Sequence, residues 1–260
     1  MQASNTLEAG GEDRTPLEPF EWRALVALMA RPQPFTVEMA ALFAIIPLYL
    51  VIGAWVQGGA VHAPEIALDR MIPVRPEWSV IYGSLFLAAL LPAFVVHQQE
   101  LLRRTILAYL AMWLFSYACF LSFPTIGPRP SEVTGNGFFA WVLRVIYSSD
   151  VRYNCLPSLH VAQCFLAALA CHRVHRGVGA VALAWALAVG ISTLYTKQHY
   201  VLDVIAGMAL AFVAFRLFIR DYPRQGIPER ERRFAPPLAM CAAGVYLLMV
   251  AGVWLIYAFA

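Results

Sequence analysis

The chain has 260 residues, 60% of them hydrophobic and only 13% charged, with a mean hydropathy of +0.64. A soluble domain carries about a quarter charged residues and less apolar sequence than this, so a water-soluble enzyme and a disordered chain are both excluded. The net charge of +3 is small and the basic residues are dispersed among loops, which leaves no basic face for nucleic acid.

Taken in order, residues 1–18 are polar and rich in Glu, Gly and Pro, a composition that predicts disorder. From Phe20 to Met29 the apolar residues recur at helical spacing beside Trp22, which predicts a short helix lying on a membrane surface. The first apolar run begins near Thr36 after a polar, acidic start, so the first span is expected to do the targeting and no cleavable signal peptide is read. Seven apolar runs follow, near Thr36–Gln57, Ser79–His97, Thr105–Ser122, Leu156–Val174, Val178–Tyr195, Tyr200–Ile219 and Leu238–Phe259. Each approaches the ~20 residues that cross ~30 Å of hydrocarbon. The fold class read from this is an all-α, polytopic membrane helix bundle of about seven spans, the last an extra C-terminal one. Its parts are a cytoplasmic N-terminal segment (1–35), a membrane bundle (36–220), and a cytoplasmic loop with the C-terminal span (221–260). Five cysteines without a C-x-x-C pair give neither a disulfide framework nor a zinc site.

Lysine and arginine counts orient such a bundle. With the N-terminus cytoplasmic, 13 basic residues fall inside and 6 outside. The loop from Phe123 to Cys155, the start of the fourth span and the turn between the fifth and sixth spans then face outward. In a bacterium this is the inner membrane, with that face toward the periplasm.

That outer side concentrates reactive side chains: Pro124-Thr-Ile-Gly-Pro-Arg-Pro130, Cys155-Leu-Pro-Ser-Leu-His160 and Thr196-Lys-Gln-His-Tyr-Val-Leu-Asp203. Asp203 is the sole acidic residue within the last four runs, and a carboxylate inside a bilayer is costly enough to mark function. His199 precedes it by four residues, which on a helix places both on one face. A carboxylate there can fix the tautomer of the imidazole, as the orienter of a catalytic base or nucleophile does. Each residue alone has a plainer reading: Asp203 as a packing residue, His160 as an interfacial polar group, Ser158 as a helix cap after Pro157, Lys197 as a snorkelling anchor. His62, His97, His172 and His175 read as solvated or interfacial. Together on one side of one membrane they form a constellation.

The constellation resembles the type 2 phosphatidic acid phosphatase superfamily of integral-membrane lipid phosphatases and phosphotransferases. That family's three blocks are K-x6-R-P, P-S-G-H and S-R-x5-H-x3-D. They are matched by Arg129-Pro130, by Pro157-Ser158 with His160, and by Ser192, His199 and Asp203, separated by 26 and 31 residues. The block lysine falls at Ser122, the glycine at Leu159 and the second arginine at Thr193. With the stretch Thr196-Lys-Gln-His-Tyr, these departures resemble the branch of inositol phosphorylceramide synthases and sphingomyelin-synthase-like enzymes.

The resemblance implies a six-helix catalytic core. It implies His199 as nucleophile oriented by Asp203, and His160 as the acid and base. Arg129, Pro130, Ser158 and Ser192 belong to the phosphoryl-binding set, with no cofactor and no metal. Lys197 reads either as an anchor or as a second clamp cation. One arginine suits a singly charged diester, whereas a restored second cation suits a monoester of nearly two charges. Three functions stay open: transfer of a phospho-headgroup onto a lipid hydroxyl, hydrolysis of a lipid phosphate or polyprenyl pyrophosphate, and non-catalytic binding or transport of an anionic lipid. The expected partners are bilayer lipids, with no obligate protein partner evident.

Overall fold

A computed structural model describes residues 22–29 and 35–259. The chain divides into two units, Met1–Pro32 and Gln33–Ala260. In the first, α1 (Trp22–Met29) forms where the helical spacing predicts it and exposes Trp22 and Val26. The disorder expected of residues 1–18 lies outside the described residues.

The second unit is helical, with no strand among its described residues and only two isolated β-bridges in its loops. Thr36 caps α2 (Val37–Ile45), its hydroxyl accepting the Met39 N–H at 3.3 Å. Pro47, which lacks an N–H, interrupts the ladder before α3 (Leu48–Val56), so one span is built from two pieces. After the short α4 (Ala67–Met71) and a 3-10 turn, α5 (Ser79–Gly83) and α6 (Leu85–Val95) form the second span. Next come α7 (Gln99–Ser122), α8 (Phe138–Ser149), α9 (Leu159–Val174), α10 (Arg176–Tyr195), α11 (Val201–Phe218) and α12 (Glu229–Phe259).

Two boundaries move outward from the apolar runs. Helix α7 starts at Gln99 rather than Thr105 because its charged first turns are paired, Arg104 with Glu100 at 2.7 Å and Arg103 with Glu38 of α2 at 2.6 Å. Helix α12 reaches back to Glu229, through Pro236 and Pro237, and packs against α6, α8, α9 and α10. The segment Phe123–Cys155, read from sequence as a loop, contains α8.

Among the described residues, six helical stretches are long and apolar enough to cross a membrane, rather than the seven runs read from sequence. The fourth run is the shorter one. Its helix α9 starts after Pro157 at the Ser158 cap and has 16 residues, about 24 Å at 1.5 Å per residue. Ten of those residues are buried, because α9 is enclosed by α6, α7, α10 and α11 and faces protein rather than lipid. Its contacts use small side chains (Ala162, Ala167, Ala168 and Ala170, with Ala211 and Ala214 of α11), which allow the close helix approach that membrane bundles rely on. Large apolar residues such as Phe86, Leu114, Phe212, Leu247 and Ile256 remain exposed, as a lipid-facing surface requires.

Gly207 sets the α9–α11 approach. A Cβ there would lie 2.5 Å from the Ser158 carbonyl and 3.3 Å from Val161 Cβ. Gly207→Ala is therefore expected to cost about 1–3 kcal/mol through overpacking, lowering Tm by several degrees in thermal unfolding of detergent-solubilised protein. An unchanged Tm would mean that the two helices are free to separate.

Candidate active site

Three chain segments meet at one end of the bundle. Helices α9, α10 and α11 run as consecutive hairpins, so the start of α9, the end of α10 and the start of α11 share that end.

The first segment is 124–130. Main-chain bonds tie it to His62, His62 N to Pro124 O (2.8 Å) and Ile126 N to His62 O (3.0 Å), and to the stretch before α9, Gly127 N to Arg152 O (2.8 Å). The Thr125 hydroxyl accepts the N–H groups of Cys155 and Leu156, both at 3.0 Å. The second segment is the start of α9. Ser158 Oγ accepts the Val161 N–H at 3.3 Å, and the Ser158 N–H donates to the Asp203 carbonyl at 3.0 Å. His160 therefore leaves the first turn of α9 directly beside α11. The third is the turn 196–200, tightened by Lys197 in the left-handed region at φ 52° and by Gln198 N donating to Thr193 O at 2.9 Å.

These segments place His160 Nδ1 3.0 Å from His199 Nε2. On the other side of the His199 ring, Nδ1 stands 3.4 Å from Asp203 Oδ2. The approach is not an aligned hydrogen bond, and His199 Nδ1 and Asp203 Oδ1 are buried with no hydrogen-bond partner. Oδ2 is already held, accepting the Tyr200 N–H at 2.9 Å as a cap of α11. Asp203 thus caps α11 and stands against the His199 ring. Both residues are deeply buried, His199 3% exposed and Asp203 0%.

Around the histidines the structure adds groups that the sequence did not single out. Tyr82 and Tyr49 stand edge-on to His160 with ring centroids at 5.5 and 6.3 Å. Their hydroxyls donate to Asp150 at 3.3 and 3.4 Å. Asp150 in turn holds Arg129, Nη2 to Oδ2 at 3.1 Å. Arg129 Nε donates to Gln198 Oε1 at 2.9 Å, and Nη1 donates to the Asp150 and Tyr147 carbonyls at 2.9 and 3.3 Å. Nη2 also donates to the Val151 carbonyl at 3.0 Å and to Gln198 Oε1. The guanidinium read as a two-point phosphate clamp is thus engaged throughout by protein acceptors, and Arg129 is 8% exposed.

The other sequence candidates divide. Ser158 lies at the α9 start and Pro130 follows Arg129, half-buried. Ser192 is buried in α10 with its hydroxyl donating to the Val189 carbonyl at 2.6 Å, so its oxygen is turned along its own helix. Lys197 Nζ donates to the Asp69 carbonyl at 3.0 Å. It lines a cavity of 530 Å³ with Glu65, Asp69, Arg129, Arg152 and Tyr200. Burial pushes the Lys197 ammonium down, and the Asp69 and Glu65 carboxylates oppose that. Asp69 Oδ1 also accepts the Val201 N–H at 2.9 Å, fixing the turn from a segment 132 positions away. No local signal in the sequence marks Asp69 or Asp150, since their partners are remote in the chain.

For a metal, the donor set in place is Cys155, His199 and Asp203, whose ligand atoms lie within 4.8 Å of one another. Its composition fits zinc, but burial, and next the Asp203 charge, push the Cys155 thiol up. A metal bound there would have to displace the thiol proton.

Residues 48–217 match the family model of the PAP2 superfamily. This chain belongs to that superfamily. The PAP2 match runs from α3 to the end of α11, so it takes in all three segments of the site and leaves α12 outside. A PA-phosphatase related-family protein of Dictyostelium discoideum is 24% identical over 118 residues, 41% of this chain. The chain spans about a fifth (21%) of that relative's length. No solved structure matches.

Proposed function

We propose that this PAP2 protein is an integral-membrane lipid phosphotransferase, moving a phospho-headgroup onto a lipid hydroxyl through a phosphohistidine at His199. The observation that carries the reading is the buried row Asp203–His199–His160, with contacts of 3.4 and 3.0 Å.

A neutral His199 with its Nδ1 proton toward Asp203 presents a lone pair at Nε2, and His160 Nδ1–H then donates to it at rest. A phosphoryl group entering between the rings replaces that hydrogen bond. Nε2 attacks phosphorus while the bond from phosphorus to the leaving oxygen breaks, and His160, acting as the imidazolium, gives that oxygen its Nδ1 proton and is left as the neutral imidazole. In the second half His160 removes the proton of the acceptor hydroxyl, whose oxygen attacks phosphorus as the phosphorus–nitrogen bond breaks. Asp203 stabilises the imidazolium character that develops on His199. Ser158 and the first-turn amides of α9 are assigned to the phosphoryl oxygens, where a helix start favours an anion. Arg129 supplies positive charge and fixes Gln198, the chain neighbour of His199. Lys197 is assigned to the headgroup entrance through the 530 Å³ cavity it lines.

Burial of His199 supports transfer over hydrolysis, because a site that restricts water favours a lipid hydroxyl as acceptor. The stretch Thr196-Lys-Gln-His-Tyr supports the sphingolipid-synthase-like branch by resemblance. Hydrolysis of a lipid phosphate is the second reading, favoured by the similarity to the PA-phosphatase related-family protein of Dictyostelium. The test is incubation of purified protein with labelled phospholipid, with and without ceramide or diacylglycerol. A new labelled lipid supports transfer, and released phosphate or headgroup supports hydrolysis. Neither product would leave only anionic-lipid binding.

We place the histidine end on the non-cytoplasmic side, toward the periplasm if the host is a bacterium, on the strength of the 13-to-6 distribution of basic residues. Ser131 is exposed beside Pro130. In a cysteine-free background, Ser131→Cys is expected to react with an impermeant thiol reagent in intact cells. Reaction only after lysis would reverse the orientation.

A further inference from the structure

The opposite end of the bundle carries a second cavity, which unlike the first is lined by no carboxylate. It measures 620 Å³ and is lined by Val174, His175, Arg176, Arg224, Gln225 and Arg232. It lies at the end of α9 and the start of α10, about 21 Å along α9 from His160 by helix rise. No residue lining it is acidic, whereas the cavity that Lys197 lines mixes Arg70, Arg129, Arg152 and Lys197 with Glu65 and Asp69.

Its arginines come from three different parts of the chain: the α9–α10 turn, the 3-10 turn Arg224–Gly226 and the first residues of α12. Two neighbouring bonds brace the wall. Arg224 Nη2 donates to the His172 carbonyl at 3.1 Å, and Arg173 donates to the Tyr222 carbonyl. His175 Nδ1 accepts the Val178 N–H at 3.2 Å, which aims the α10 start at the cavity. Across residues 172–176 and 219–233 there are seven arginines against three carboxylates. Burial pushes the Arg224 guanidinium down, and the like charges of Arg176, Arg173 and Arg232 push it further. Cations that are spread over a surface by membrane topology alone would stay apart in water. Here they converge on one hollow large enough for a headgroup, and their repulsion is relieved by an anion between them. Planar guanidinium groups suit a phosphate in particular.

We infer that this cavity is a second, non-catalytic site for a phosphate-bearing anion, held by Arg176, Arg224 and Arg232: an anionic lipid headgroup or a free phosphate. The cavity opens where membrane-spanning helices end, the level at which lipid headgroups lie.

The test measures binding of short-chain phosphatidylglycerol, short-chain phosphatidylcholine and inorganic phosphate to the full chain in non-ionic detergent. Phosphatidylglycerol is expected to bind well above phosphatidylcholine. Arg224→Gln/Arg232→Gln is expected to weaken it at least about tenfold, since two charge-assisted contacts are lost. Arg216→Gln/Arg220→Gln removes the same charge from the same end at exposed positions outside the cavity. It is expected to change binding less than about threefold, being a screened long-range effect. His160→Gln, at the far end, is expected to leave binding intact. Tight inorganic phosphate binding with the same variant pattern would assign the site to the free anion. Equal loss in the two arginine pairs, loss in His160→Gln, or no preference over phosphatidylcholine would overturn the inference. If the double variant does not fold, the exposed Arg176→Gln replaces it, with weakening of about threefold or more expected.

Discussion

His199→Ala is expected to abolish turnover, and Asp203→Asn to lower it by several powers of ten. An orienting carboxylate in a triad is worth that much even when geometry is preserved. The two roles of Asp203 can be separated here. Oδ2 caps α11 through the Tyr200 N–H at 2.9 Å and faces His199 Nδ1 at 3.4 Å. An asparagine oxygen can still accept from Tyr200, because asparagine and aspartate are comparable caps. It cannot carry the charge that balances an imidazolium. Asp203→Asn should therefore keep Tm within a few degrees of the parent while turnover collapses. Asp203→Ala should lose both, the missing cap adding about 1 kcal/mol of destabilisation. Turnover of labelled lipid and thermal unfolding on the same preparations check this. Full activity in His199→Ala would overturn the nucleophile assignment, and parallel losses of Tm and activity in Asp203→Asn would reduce Asp203 to a cap.

The features legible from the sequence were those with short-range causes. Apolar run length places the spans, and the interval of four residues places His199 and Asp203 one turn apart. The Ser158 cap follows from Pro157-Ser158 at the head of an apolar run. Where the fold departs from that reading, the cause is a remote partner. Gln99 to Arg104 join α7 because Glu38, on another helix, pairs with Arg103. Helix α8 was read as loop because its apolar run is only 12 residues long and lies between polar stretches. Yet that helix delivers Asp150, through which Tyr49 and Tyr82 are fixed beside His160. The convergence of Arg176, Arg224 and Arg232 depends on how α9, α10 and α12 fold back, and a count of basic residues records only their side.

Arg129→Lys is expected to lower activity severely and Tm with it, and the joint loss is what distinguishes its role. If the guanidinium were an open clamp for phosphate, lysine would weaken substrate binding with little effect on the fold. In the structure its three nitrogens instead join Gln198, Tyr147, Asp150 and Val151 in one buried knot. A lysine ammonium has three donors and no planar fork, so at least two of those acceptors lose their partner. Breaking a buried ion pair by removing a partner costs about 3–5 kcal/mol; a lysine that still reaches Asp150 would retain part of that. The damage then travels by contact. Asp150 holds the tyrosine hydroxyls that frame His160, and Gln198 adjoins His199, so the two imidazoles lose their common alignment. That alignment is what a near-attack geometry requires, and small displacements there are amplified in the rate. The measurements are Tm, kcat and KM for the parent, Arg129→Lys and Asp150→Asn. Asp150→Asn keeps an acceptor for the tyrosines and removes the charge facing Arg129, so it should lose Tm in the same sense as Arg129→Lys. A raised KM with Tm unchanged in Arg129→Lys, and a stable Asp150→Asn, would return Arg129 to the role of phosphate clamp.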